Sequence, residues 1–314
     1  MGAHLPDDRE GVGSTQLVSV WKDQTKQKEQ QDMGKLEWEP ANGQAPTELE
    51  EKILQYEKRG CLVPPRRLLL NQEQIEGIRR SGVVNTGVLD EVAKHIEAGM
   101  TTEDIDQLVY NYTLAHGATP APLNYQGFPK SVCTSINAQV CHGIPNPNVK
   151  LKEGDIINVD VSTILDGYYS DASRMFIIGE ASKEVKKLVK VTKECLEIGA
   201  NAAQPYGFVG DIGAAIQQHA QRNGYSVVQE LCGHGVGLKF HDLPEVLHYG
   251  VRGTGMLLVP GMVFTIEPMI NMGSRKVFID KSNKWTVYTQ DMKPSAQWEH
   301  TFVMTEHGLE ILTY

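Results

Sequence analysis

The sequence predicts an α+β protein built from two similar halves. Beyond about residue 70, helical apolar stripes alternate with short apolar runs typical of strands, and the order of helix, helix and strands occurs twice. The segments Gly154–Asp160 and Gly261–Glu267 also share a pattern, in which a glycine precedes an apolar-rich strand and a carboxylate stands at the sixth position after the glycine. We therefore expect a duplicated α+β unit with a site between its halves.

Two helices open the first half. Asn71 is a suitable N-cap for a helix whose apolar stripe covers Ile75–Ile96. A second amphipathic helix is expected after Thr102, and Gly117 closes it. The strands expected next are Val132–Ile136, Ile156–Val161 and Tyr168–Ile178.

The second half repeats this order. Ser182 precedes a helix with Val185 and Leu188 on its apolar face, and a further helix covers about Ile212–Arg222 before Gly224. The strands expected in this half are Val227–Leu231, Met262–Ile266, Trp285–Thr289 and His300–Met304.

Residues 1–69 differ from the rest and are interpreted as a partly flexible N-terminal extension, with the main domain at 70–314. The stretch Gln24–Gln31 is rich in Lys and Gln, and only Leu49–Tyr56 indicates a short helix. The prolines and arginines of Pro64–Arg67 faintly resemble a docking motif, but two prolines before a helix are more often a plain connector, and we adopt that interpretation.

Composition narrows the function classes. Of the 314 residues, 40% are hydrophobic and 22% charged, which is ordinary for a globular protein. The net charge of -9 argues against a general nucleic-acid binder, and no apolar run reaches membrane-span length. The five cysteines are odd in number and scattered, and the N-terminus lacks a secretory signal pattern, so reduced thiols in a cytoplasmic protein are expected.

A hairpin brings two aspartates together. If Asp166-Gly167 is a two-residue loop, counting outward places Ser162 opposite Asp171. Asp160 then shares a face with Ser162 and is a diagonal neighbour of Asp171, at a backbone separation of roughly 7 Å. A three-residue loop would break this parity. Because a carboxylate that ends an apolar strand is costly to bury alone, Asp160 in particular needs a cation or hydrogen bonds.

Three further residues join this pair as candidate metal ligands. Glycines on both sides of His234 would let the backbone approach a site closely. Glu267 ends an apolar strand, and Glu299 begins a β-rich segment. Each acid alone would more often be an ion-pair partner, but four acids and a histidine together favour a metal site.

The ligand types favour more than one divalent ion. Four carboxylates and one imidazole form a hard, oxygen-rich set whose charge calls for two cations bridged by carboxylates. Such sites activate a water molecule and stabilise the oxyanion of a hydrolysed amide. The His-Glu-x-x-His pattern of many zinc enzymes is absent, and the glycines around His234 lack the spacing of a nucleotide-binding loop.

Six motifs, in this order and spacing, resemble type I methionine aminopeptidase from Leu70 to the C-terminus. They are Tyr125–Cys133, Cys141–Pro145, Asn158–Val161, Gly233–Gly237, Phe264–Pro268 and Glu299–Thr301. The resemblance implies the pita-bread fold, with two pseudo-symmetric halves around a curved antiparallel sheet and flanking helices. It also implies that residues 70–314 are a catalytic domain that removes N-terminal methionine from nascent proteins and peptides, preferring a small second residue, by means of a metal-activated water.

The same resemblance assigns site residues. The metal ligands are Asp160, Asp171, His234, Glu267 and Glu299, with two ions of cobalt, manganese, iron or zinc. Glu267 is also the candidate general base, and His142 and His241 are the other candidate catalytic residues. The substrate-binding set is Tyr125, Phe128, Cys133, His142, Phe240, His241 and Trp285. Aromatic faces and a thiol suit a thioether side chain.

Other functions fit these features less well. Proline-specific dipeptidases and aminopeptidases share the five ligands but carry a large N-terminal domain, and a non-catalytic relative would have lost ligands. A type II methionine enzyme would insert a helical subdomain between His234 and Glu267, an interval that is short here. Partners expected are peptides with N-terminal Met and, through the extension, the ribosome as an open candidate. Nucleic acid and membrane partners are not expected, and the chain is expected to be a monomer.

Overall fold

The computed structural model describes Trp38 and residues 45–314, and these residues belong to one compact unit. The predicted Lys- and Gln-rich stretch Gln24–Gln31 lies outside the described residues. The helices of the described part are α1 (Glu48–Lys58), α2 (Gln72–His95), α3 (Thr102–Ala115), α4 (Lys183–Ala202) and α5 (Val209–Arg222). Short 3-10 turns cover Arg66–Leu68 and Tyr125–Gly127.

Fifteen strands accompany these helices in the described part of the chain. They are β1 (Thr119–Pro120), β2 (Cys133–Ile136), β3 (Gln139–Cys141), β4 (Ile156–Leu165), β5 (Tyr168–Ile177), β6 (Ser226–Val227), β7 (Gly233–Gly235), β8 (Asp242–Val246), β9 (Val263–Ile266), β10 (Met269–Asn271), β11 (Val277–Ile279), β12 (Val287–Thr289), β13 (Ser295–Gln297), β14 (His300–Thr305) and β15 (Gly308–Ile311). All strand pairs within the sheets are antiparallel.

The first half is organised around the β4–β5 hairpin. Asp166 and Gly167 both have positive φ, 51° and 83°, which is the backbone of a two-residue type I′ turn. Leu165 therefore pairs with Tyr168. Strands β1 and β2 pair with β4, and α2 and α3 cover the sheet with a core of aliphatic side chains.

The second half contains a five-stranded sheet in the order β15-β14-β9-β7-β8. Helices α4 and α5 pack against each other, and their buried residues join Phe264 and Ile266 of β9 in the largest core cluster. Two three-stranded sheets, β13-β10-β6 and β11-β12-β3, complete the fold. The predicted α+β architecture in two similar halves is confirmed.

The two halves meet along a seam beside β5. Ser173 of β5 and Glu299, the residue before β14, exchange backbone hydrogen bonds of 3.3 and 3.2 Å. The Thr301 hydroxyl lies 3.1 Å from the amide nitrogen of Asp171 and 2.8 Å from its carbonyl oxygen. The seam thus aligns the acid-bearing strands of both halves.

Several predicted boundaries need correction. Strand β4 continues four residues past Val161 to Leu165, so Asp160 lies inside a strand rather than at its end, because hairpin pairing with β5 sustains the ladder. The residues around His234 form a short strand, β7, which was not predicted. Helix α3 begins at Thr102, with Thr101 as its cap. The predicted strand Val227–Leu231 is shorter and begins one residue earlier, because strand β6 covers Ser226–Val227.

Residues 45–69 pack against the second half. Helix α1 begins at a capping box formed by Thr47 and Glu50. Ile53 is fully buried in the largest core cluster, and Tyr56 stacks on Tyr206 at 6.4 Å between ring centroids. The Leu62 carbonyl accepts a hydrogen bond from the amide of Leu257. The division of the chain at residue 69 stays a prediction of the sequence.

Replacing Ile53 with alanine is expected to destabilise the protein by about 2–5 kcal/mol, because the substitution leaves a cavity in a core that helix α1 shares with α4 and α5. Urea unfolding followed by circular dichroism measures the loss. Gln55→Ala, at an exposed position of the same helix, is the matched control. Equal stability of the two variants would show that α1 contributes nothing to the core.

Candidate metal centre

Five candidate ligands come from both halves of the fold. Asp160 and Asp171 lie on β4 and β5, and the predicted pairing of Ser162 with Asp171 is present, so the two aspartates are diagonal neighbours. Their side chains interact directly. The remaining three, His234, Glu267 and Glu299, lie in or beside β7, β9 and β14.

The two glutamates face each other at a corner between two sheets. Ile266 pairs with His300 in the β9–β14 ladder, and Met269 pairs with Gln297 in the β10–β13 ladder. The same register, continued between these ladders, sets Glu267 opposite Glu299. Pro268 has no amide hydrogen to donate, which is consistent with the break in pairing at this corner.

Side-chain distances bring these residues into one cluster. Nε2 of His234 lies 3.7 Å from Oδ2 of Asp171 and 3.6 Å from Oε1 of Glu267. One ligand atom from each of Asp171, His234 and Glu299 lies within 4.8 Å of the others. Asp171, Glu267 and Glu299 are buried, while Asp160 and His234 are partly buried.

The orientation of His234 suits a metal ligand. Its Nδ1 lies 3.1 Å from the carbonyl oxygen of Gly235, and because a carbonyl can only accept, Nδ1 carries the proton. The lone pair of the neutral ring is then on Nε2, which points toward Asp171 and Glu267. Burial lowers the pKa of His234 to about 4, so the ring is neutral near pH 7.

The charges of the four acids fit divalent cations. Burial raises the pKa of Asp160 and Glu267, and burial together with repulsion from the neighbouring acids raises the pKa of Asp171 and Glu299 well above the usual range. Within residues 38 and 45–314, no lysine or arginine forms an ion pair with any of the four. An ionised set of this kind needs positive charge from bound metal, and its oxygen and imidazole donors suit divalent ions.

One hydroxyl links two of these ligands. The Thr265 hydroxyl accepts a 3.0 Å hydrogen bond from the amide of His234 and donates a 2.9 Å bond to Oε1 of Glu267. The amide can only donate, so the hydroxyl proton is directed at the carboxylate. Thr265 was not predicted from the sequence, although its position two residues before Glu267 on a strand places both side chains on the same face.

Two further residues orient Glu267. The Gln297 amide donates a 3.1 Å hydrogen bond to Oε2, and the backbone amide of Glu267 donates to Nε2 of His248 at 3.1 Å. Burial lowers the pKa of His248 to about 3, so its ring is neutral and can accept this bond. No local motif in the sequence points to His248, because it lies nineteen positions before its partner in the chain.

The two predicted catalytic histidines lie beside the cluster. The ring centroids of His241 and His234 are 4.3 Å apart, and Nδ1 of His241 is 3.0 Å from the hydroxyl oxygen of Tyr125. His142 has a positive φ of 54°, and its ring is 6.3 Å from that of Trp285. Burial lowers the pKa of His142 to about 4, which keeps it neutral.

Aromatic side chains surround these histidines. Phe128 meets Trp285 edge to face at 5.2 Å, and Tyr125 meets Phe240 edge to face at 4.8 Å. Cys133 is buried on β2, where it pairs directly with Asp160 of β4. The predicted pocket residues are therefore distributed around the acid cluster. Tyr169, which stacks on Phe240 at 5.9 Å, was not predicted.

Comparison with known proteins places this geometry in a family. The model of metallopeptidase family M24 matches residues 76–306. Methionine aminopeptidase A from Synechocystis sp. is 52% identical over 246 residues, which cover 78% of this chain and 96% of that protein. The chain belongs to the methionine aminopeptidases of family M24. The resemblance predicted from the motifs is confirmed.

Solved structures agree with this placement. The crystal structure of methionine aminopeptidase from Rickettsia prowazekii is 46% identical, with a TM-score of 0.77, and the match covers 78% of this chain and 99% of that one. Prolidase from Pyrococcus furiosus, 21% identical with a TM-score of 0.63 over 79% of this chain and 66% of that one, shares the pita-bread fold alone. As a member of a metallopeptidase family, this methionine aminopeptidase uses divalent metal.

Thr265→Val is expected to weaken divalent metal binding by about 10- to 100-fold, because valine keeps the shape but removes the hydroxyl that orients Glu267 and His234. Isothermal titration with Mn²⁺ measures the affinity directly. Thr265→Ser, which retains the hydroxyl, is the matched control and should bind nearly as the unmodified protein does. Unchanged affinity in the valine variant would show that the hydroxyl does not orient the ligands.

Proposed function

We propose that this methionine aminopeptidase removes the N-terminal methionine from peptides and nascent proteins at the centre described above. The observation that carries the proposal is the pairing of Cys133 with Asp160 across β2 and β4. A pocket residue and a candidate metal ligand are thereby neighbours in one ladder. A methionine side chain among the aromatic residues would place its own amide beside the acid cluster.

The chemistry follows from the donor set. Asp160, Asp171, His234, Glu267 and Glu299 would hold two divalent ions, which when bound supply Lewis-acid polarisation and a water nucleophile. Glu267, which Thr265 and Gln297 hold by hydrogen bonds, is positioned to take the proton of the attacking water.

The neutral histidines act on the substrate. His142 lies on the Trp285 side of the pocket, where it contributes to binding the substrate amine and to proton transfer at the leaving group. His241 is held by Tyr125 and is assigned to the scissile carbonyl, where a ring N–H would stabilise developing negative charge. Both roles require the rings to be uncharged before reaction, in keeping with the low pKa of His142.

The pocket composition favours methionine. Phe128, Trp285, Tyr125 and Phe240 offer aromatic surfaces at which a thioether sulfur makes favourable contacts, and Cys133 adds a small, polarisable group. The identity of the metals, a monomeric state, a cytoplasmic location and ribosome docking through residues 1–69 stay predictions of the sequence. No helix in the described part of the chain has both the length and the apolar composition that a membrane span requires.

The decisive experiment is hydrolysis of Met-Ala-Ser by protein loaded with Mn²⁺ or Co²⁺, with and without EDTA. We expect methionine release that the chelator abolishes. Asp160→Ala and His234→Ala should each lose detectable turnover and weaken metal binding, while circular dichroism shows the fold retained. An Xaa-Pro peptide is the comparison substrate, and cleavage of that peptide alone would reassign the enzyme to the proline-specific group. Near-normal turnover by either variant would refute the ligand assignment.

We also expect a preference for small residues after the methionine. We infer that a long side chain after the methionine would meet the rim formed by His241, which is exposed, and by Tyr125, to which His241 is hydrogen-bonded. Rates on Met-Gly-Ser and Met-Lys-Ser, measured as kcat/KM, test this. The glycine peptide should be cleaved much faster, and equal rates would contradict the proposed rim.

A further inference from the structure

Arg67 joins the N-terminal segment of the chain to the residue beside His241. Its Nη1 donates to both carboxylate oxygens of Asp242, at 2.8 and 2.7 Å. Asp242 directly follows His241 and is the first residue of β8, where it pairs with Gly235 of β7. An ion pair between residues 175 positions apart thus fixes the backbone next to a candidate catalytic side chain.

The connection between β7 and β8, residues 236–241, carries His241 and is fixed at its start by the first half of the fold. The carbonyl of Gly237 accepts a 2.7 Å hydrogen bond from the amide of Tyr169. Val236 packs in a small core cluster with Ile78 and Leu70. Gly237 has a φ of 138° and lies so close to Ile78 that a Cβ there would be 2.4 Å from it. The start of the connection therefore has little freedom.

At the far end of the connection, Arg67 adds a side-chain contact to the backbone pairing of Asp242 with Gly235. Lys239 also lies 3.3 Å from Oδ2 of Asp242, but it belongs to the connection itself and cannot fix the connection to the rest of the protein. Arg67 comes from outside and is carried on an anchored stretch. Leu62 bonds to Leu257, and the amide of Leu70 donates to the Gly261 carbonyl at 2.9 Å.

The position of the His241 ring depends on both its side-chain contact and its backbone. Tyr125 contacts Nδ1, which sets the rotation of the ring, while the position of its backbone follows from Asp242. Arg67 and Asp242 are 40% and 21% exposed, so the pair contributes little to global stability. Its effect is expected in the placement of the imidazole, for which small displacements have large kinetic consequences.

We propose that Arg67 is a positioning residue for His241. Residues 45–69, which carry Arg67, would then contribute to the geometry of the active site. The proposal rests on the proposed function, because it acts through the role assigned to His241. Removing the guanidinium takes away this side-chain contact, leaves Asp242 with its backbone pairing to Gly235, and lets the imidazole shift from its place beside His234, from which its ring centroid is 4.3 Å distant.

The test compares Arg67→Met, Arg67→Lys and Arg66→Met on Met-Ala-Ser. Arg67→Met should lower kcat about tenfold with little change in KM. Arg67→Lys, which keeps a positive charge, should lower kcat by less than Arg67→Met does. Arg66 is the matched control, because it stacks on Trp38 and pairs with Glu50 in the same segment without touching Asp242. Equal kcat for Arg66→Met and Arg67→Met would overturn the proposal.

A double-mutant cycle separates positioning from general destabilisation. In a His241→Ala background, Arg67→Met should cause no further loss of kcat, because the side chain that it positions is already gone. The full loss in that background would also overturn the proposal. The melting temperatures of Arg66→Met and Arg67→Met should be similar.

A measurement without turnover keeps this inference distinct from the proposed function. The Hε1 proton resonance of His241, assigned by comparison with His241→Ala, should shift in Arg67→Met and stay in place in Arg66→Met. Failure of the unmodified enzyme to release methionine would reject the proposed function, whereas an unmoved resonance in Arg67→Met would reject the positioning role alone.

Discussion

Four carboxylates at one seam, three of them buried and Asp160 partly buried, are the constraint on which the rest of the structure depends. Burial and mutual repulsion raise the pKa of Asp171 and Glu299, so ionising all four acids in place requires compensating positive charge. The backbone geometry that forces them together is simple. Ser173 and Glu299 exchange two hydrogen bonds, and Thr301 contacts the backbone of Asp171, so neither half can move without separating the acids.

The candidate metal ligands differ in how many hydrogen bonds orient them. Glu267 receives hydrogen bonds from Thr265 and Gln297, and its amide bonds to His248, so both its carboxylate and its backbone are fixed. Asp171 receives the Ser162 hydroxyl at 2.8 Å. The greatest density of orienting contacts thus surrounds the residue proposed to accept a proton during the reaction, which is where misorientation has the largest cost to catalysis.

Local rules predict the part of the site that local geometry builds. The turn at Asp166-Gly167 is the two-residue loop that the sequence favours, and with that loop, counting along two strands suffices to make Asp160 and Asp171 neighbours. Helix caps are also local, and Asn71 is correctly predicted. The contact of Arg67 with Asp242 arises from tertiary packing of segments 175 residues apart, and no pattern near either residue indicates it. The pocket residues were predicted from the resemblance of the motifs. From the pattern of apolar residues alone, they would be interpreted as ordinary core residues.

The similar segments Gly154–Asp160 and Gly261–Glu267 place their acids in different surroundings, and this difference brings the acids of the site together from two directions. Asp160 stays in a continuous ladder, so its partner on the hairpin is diagonal and lies in the same sheet. Glu267 stands before Pro268, where the chain leaves the five-stranded sheet at β9 and enters the β13-β10-β6 sheet at β10. Because Glu299 stands at the same corner on the opposite chain segment, the two glutamates face each other without a ladder between them. The hairpin therefore presents one pair of acids and the sheet corner the other, and His234 on β7 lies within 4 Å of a carboxylate from each pair.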